Sequence, residues 1–196
     1  ILHPSRRYRQ GSAVNVVGVD GCRSGWVAVQ LSGGRFARAL FCRDFAGIIE
    51  SAESAAVIAV DIPIGLPTVG GRRADTAARA LLGRGASSVF LTPPRQVLQA
   101  ETYREARAVA QRLGGPGVSS QAYALRAKIL EVEPIASTDR RLYEVHPELS
   151  FRAMAGRAIP ASKKTWNGLQ QRRRLQGGLH LYLLSATPTI TAPTRR

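Results

Sequence analysis

The chain has little lysine, little cysteine and no long apolar run. Among its 28 basic residues only Lys128, Lys163 and Lys164 are lysines. Two cysteines, Cys22 and Cys42, supply neither a disulfide framework nor a metal-ligand spacing. A reducing, cytoplasmic setting is the expectation that follows. The longest apolar stretch, Ala55 to Val60, is far too short to cross a bilayer, so no membrane partner is expected. The opening residues carry Arg6, Arg7 and Arg9 without an apolar segment, which does not fit a signal peptide. Acidic residues are missing altogether from 149 to 196, where nine Arg or Lys stand.

What is present is arginine, alanine and enough apolar residue for one core. The 196 residues carry a formal charge of +15, and 44% are hydrophobic. That length and composition suit a single globular domain. The charge reads either as an electrostatic footprint for nucleic acid or as the composition of a GC-rich coding sequence. Patterning divides the chain into an N-terminal extension (1–13, expected to be disordered or non-native), a folded domain (14–175) and an atypical tail (176–196). The tail turns Thr/Pro-rich without helical period and is expected to lie outside the packed domain.

Three strands open the domain. Val14–Asp20 is an apolar run ending in Asp-Gly. Trp26–Leu31 and Arg35–Cys42 flank Ser32-Gly33-Gly34, the mark of a β-hairpin. Asp44 is placed to cap a helix from about Phe45 to Ser54. Val57–Ile62 is a continuous β-branched run, suited to a strand buried on both faces. The order strand, strand, strand, helix, strand predicts α/β layering. Further helices are expected over 72–82, 102–113, 119–132 (with Pro134 beyond its end) and 170–175. Extended chain is expected over 87–95, and a short strand over 142–145.

The chemistry centres on Asp20 and Asp61. A carboxylate in a buried strand costs several kcal/mol unless it is paired, hydrogen-bonded or metal-bound. Two of them at one sheet edge would suit Mg²⁺ or Mn²⁺. Either alone also reads as a turn or cap residue. Glu144, His146 and Glu148 alternate, so on a strand they would share a face. Glu144 is the better candidate for a third ligand, while Glu148 suits a helix start after Pro147. Arg79 and Arg95, and the cluster Lys163 and Lys164, are candidates for gripping phosphates. Trp166 beside the lysines reads either as a surface on which a base stacks or as an anchor fixing a helix to the core.

Five blocks, Val16–Leu31, Ala59–Pro67, Arg72–Arg95, Ser119–Glu133 and Tyr143–Gly156, resemble in order the domain of unknown function 429 family, described as predicted nucleases with a ribonuclease H-like fold. The resemblance spans about residues 14–174. It implies a ribonuclease H-like mixed sheet, three antiparallel strands and then parallel ones, flanked by helices. It places acidic site residues at Asp20 and Asp61, with Glu144 and Glu148 as candidate further ligands. It implies a metal-dependent nuclease in which Asp20, Asp61 and Glu144 are catalytic and metal-binding, with nucleic acid as the partner. The late acidic helix that closes such sites has no counterpart after Arg174; set against the family, the tail looks like a truncation or a shifted reading frame, so the site is expected to lack a ligand and one sheet face to be under-covered. Two other functions fit the same residues. One is a nucleotide-binding or phosphotransfer protein of the actin-like branch of this fold. The other is an inactive binding module.

Overall fold

The computed structural model describes residues 13–115, 117–176 and 190–191. The expected N-terminal extension and tail therefore lie almost wholly outside the described residues. Among these residues no helix is long and apolar enough to cross a membrane.

β1 (Asn15–Cys22), β2 (Gly25–Ser32) and β3 (Arg35–Cys42) form an antiparallel meander. The β2–β3 turn places both Gly33 and Gly34 at positive φ, which matches the right-handed twist of the strands and excludes most other residues. α1 (Phe45–Ser51) follows, capped as expected by Asp44, whose Oδ1 accepts from the Gly47 N–H at 2.9 Å. The chain then crosses to β4 (Val57–Val60), which pairs parallel to β1 on the side away from β2. β5 (Leu142–Glu144) extends the sheet parallel to β4. The strand order is β5-β4-β1-β2-β3, with a short sixth strand, β6 (Ile190–Thr191), at the β3 edge. Three antiparallel strands followed by parallel ones, with helices around them, form the expected ribonuclease H-like sheet.

Seven further helices follow α1. They are α2 (Arg73–Leu82), α3 (Arg95–Leu98), α4 (Tyr103–Arg112), α5 (Ser120–Ala124), α6 (Arg126–Thr138), α7 (Pro147–Ala155) and α8 (Trp166–Leu175). Two local expectations hold only in part. Of residues 87–95, expected to be extended, 87 and 88 lie in a 3₁₀ turn and 95 opens a helix, while 89–94 are neither helix nor paired strand. A 3₁₀ turn over Gly83–Ser88 leads into irregular chain with Pro93 and Pro94, and α3 begins at Arg95. The two prolines remove the N–H groups that a sheet ladder needs. The single helix expected over 119–132 is two, and α6 runs through Pro134 to Thr138. A proline removes one backbone bond. Here the hydroxyls of Ser137 and Thr138 donate to the carbonyls of Pro134 and Ile135 and sustain the last turn.

The core lies on one face of the sheet. Val17 and Val19 on β1, Trp26 and Ala28 on β2, and Ile58 and Val60 on β4 pack with Phe45 and Ile48 of α1 and with Ile129 and Val132 of α6. α6 is also clamped to the sheet by polar bonds. Glu131 accepts from the Trp26 indole N–H at 3.1 Å and from the Phe45 N–H at 2.6 Å. Lys128 donates to the Gly25 carbonyl at 2.6 Å, with its ammonium over the Trp26 ring. The opposite face is barer among the described residues. Gly18 is exposed there, as are Val27 and Tyr143.

Candidate functional site

Parallel pairing sets the two aspartates side by side. Val19 is opposite Val60 in the β1–β4 register, and the next residues are Asp20 and Asp61. The Asp61 N–H donates to the Val19 carbonyl at 3.1 Å, extending the ladder one step past β4. Neighbouring strands lie about 4.8 Å apart, so the two carboxylates leave adjacent backbones at one edge. Side-chain alternation does the rest. Val17, Val19, Ile58 and Val60 face the core, so Asp20 and Asp61 both face away from it. Neither sits in a fully buried strand. Asp20 is exposed within β1, and Asp61 is half-buried.

Both line a cleft of about 650 Å³ at the carboxyl ends of β4 and β5, which Asp75, Glu144, His146 and Lys163 also line. Strand ends are where open α/β sheets place their ligands. The Asp61 carboxyl is pushed above the ordinary aspartate value. Burial is the main cause, and the charges of Asp20 and Glu144 add to it, while His146 and Lys163 oppose it. Burial, more than the balance of charges, disfavours its ionisation.

The other predicted residues divide. Lys163 lines the cleft and acts on Asp61, whereas Lys164 is exposed outside the lining. Arg79 donates to the Val89 carbonyl at 2.6 Å and so braces the cleft wall. Arg95 pairs with Glu133 at 2.5 Å, with its own side chain half-exposed. The Glu144 carboxylate accepts from Arg72 at 2.5 Å and from the Ile64 N–H at 2.9 Å. Glu148 accepts twice from Arg172. Glu144, His146 and Glu148 do not share a strand face, because β5 stops at Glu144 and α7 starts at Pro147. They line one cleft, each held by a different partner.

Two features of the site were weakly marked in the sequence. Asp75 sits in the first turn of α2, an ordinary place for an acid, yet it is only 3% exposed and accepts from the Thr92 N–H at 2.7 Å. Arg72, equally buried, lies against it at 3.5 Å. His146 is the second. Its Nε2 lies 3.2 Å from the Ser88 carbonyl, to which it donates, and its buried Nδ1 has no partner among the described residues. Only its place between two glutamates marked it.

The donor set fits a hard divalent cation held by few protein ligands. Among the described residues no group of three or more His, Cys, Asp or Glu is arranged to hold a metal. Asp20 and Asp61 offer a pair of adjacent oxygen donors. Mg²⁺ commonly takes one or two carboxylates and completes its shell with waters and substrate phosphate. A cation between the two would also relieve the unfavourable ionisation of Asp61.

Comparison with known proteins gives one match. The family described as "Protein of unknown function (DUF429)" matches residues 18–194. No curated protein and no solved structure matches the chain.

Proposed function

Because the chain belongs to the DUF429 family of proteins of unknown function, we propose its activity from the cleft itself: metal-dependent phosphodiester hydrolysis on nucleic acid. The observation that carries this reading is the adjacent pair Asp20 and Asp61 at the ends of parallel β1 and β4. Asp20 and Asp61 would hold Mg²⁺ or Mn²⁺, which would supply an activated water and stabilise the leaving oxygen. The residues supply position and charge. Lys163 draws a phosphate towards them. Glu144 acts as a positioning residue, since it fixes the Ile64 backbone just after Asp61 and is itself tied to Arg72. Arg79 serves the phosphate path by bracing its wall at Val89, while Arg95 is tied to Glu133 outside the lining. A net charge of +15 favours a polyanionic partner. The free thiols of Cys22 and Cys42 are consistent with a cytoplasmic protein.

The actin-like reading requires a loop after β1 whose amides are open to a phosphate. Here β1 and β2 stay paired to Cys22 and Gly25, and the Lys128 side chain fills the space over Gly21. This favours hydrolysis over nucleotide holding. The test uses the full chain with single-stranded DNA, double-stranded DNA and RNA. Cleavage of at least one, dependent on Mg²⁺ or Mn²⁺ and abolished by EDTA, is expected. Intact substrates throughout, with both metals, would overturn the reading.

A further inference from the structure

Trp166 is 71% exposed, at the first position of α8. Among the described residues it anchors nothing, which leaves the other of its two expected roles. An indole is costly to leave in water, and Leu169, one turn on, is 40% exposed beside it. The surroundings are basic, with Lys163 and Lys164 before it and no acid from 149 onward.

The indole is held on a rigid mount. The Thr165 N–H and hydroxyl both donate to the Ser162 carbonyl, at 3.0 and 2.8 Å. Thr165 Oγ1 in turn caps α8 by accepting from the Gly168 N–H at 3.2 Å. Gly168 packs so closely on that carbonyl that no side chain fits. Buried Arg172 joins this turn to the cleft: it donates to the carbonyls of Ala161 and Gly168 and pairs with Glu148. Lys163, three residues before Trp166, lines the cleft and faces Asp61. Three residues span at most about 11 Å, so the Trp166 backbone stands within that distance of the Lys163 backbone at the cleft.

We propose that Trp166 is a stacking platform for an unpaired base of a single-stranded nucleic acid whose backbone enters the cleft past Lys163. An exposed aromatic face amid basic side chains is how single strands are held without sequence preference. A duplex keeps its bases stacked on one another and offers no free face. The assignment rests on the proposed function and narrows its substrate class to single strands, DNA or RNA.

The protein's two tryptophans make a direct test. Trp26 is fully buried and Trp166 is open, so quenching of emission by an added strand reports on Trp166. In EDTA, without turnover, dT12 or rU12 is expected to quench the full chain, and a dT12·dA12 duplex is not. W166F should abolish the quenching. W166A should weaken oligonucleotide affinity, followed by anisotropy of a labelled strand, by roughly 5- to 100-fold. Its urea midpoint should match the parent, since the indole is 71% exposed. Unchanged affinity in W166A, equal quenching by the duplex, no binding of either strand, or polyglutamate binding as tightly through Trp166 would each overturn the assignment. Quenching without any cleavage in metal would instead remove the nuclease reading and leave the platform standing.

Discussion

Replacing Arg72 by methionine is expected to destabilise the fold by about 3–5 kcal/mol, the usual penalty for removing one member of a buried ion pair. Arg72 is 7% exposed and Asp75 is 3% exposed. The guanidinium joins three segments: Asp75 in α2, Glu144 at the end of β5, and Thr92 in the irregular chain between them. Without it Glu144 can turn to water, being about a third exposed. Asp75 cannot, and it keeps only the Thr92 N–H. The penalty therefore sits mainly on Asp75. Urea unfolding checks the size of the loss. The double variant Arg72→Met/Asp75→Leu checks the cause, since removing both charges should recover much of the stability. Equal destabilisation by the single and double variants would place the cost elsewhere.

Asp61→Asn is expected to lose activity and gain stability. Amide for carboxylate removes the charge that would hold the ion, and cleavage should fall by at least about a hundredfold. Stability should move the other way. A carboxyl whose ionisation is disfavoured in the fold keeps its proton to higher pH there than in the unfolded chain. Above the ordinary aspartate range its ionisation therefore favours unfolding. In EDTA at pH 7 the asparagine variant should unfold at higher urea than the parent. The difference should vanish below about pH 4, where the carboxyl is protonated in both states. A variant less stable than the parent at pH 7 would show that Asp61 is held by bonds that offset its burial.

Much of the sheet is legible in short windows of sequence. Two glycines after Ser32 specify a tight hairpin, Asp44 caps α1, and the run Val57–Val60 reads as a buried parallel strand because both its faces are apolar. Pairing β1 with β4 in parallel then brings Asp20 beside Asp61. What was not legible depends on partners far apart in the chain. Nothing local to Glu144 shows that Arg72 will claim its carboxylate, and the same holds for Glu148 and Arg172. Charge at a helix start looks identical in Asp75 whether the residue is solvated or buried. Trp166 could not be assigned to core or surface because one aromatic at a helix start carries no periodicity. Pro93 and Pro94 keep the chain before α3 out of the sheet, whereas Pro134 failed to end α6, so the same residue type gave opposite outcomes under different packing.

The central claim is that Asp20 and Asp61 together hold a divalent cation. Mn²⁺ binding, followed by electron paramagnetic resonance on the full chain without nucleic acid, tests it most directly. The parent should bind Mn²⁺, Mg²⁺ should compete for the same site, and Asp20→Asn/Asp61→Asn should lose that binding while remaining folded. Undiminished Mn²⁺ binding in the folded double variant would contradict the account.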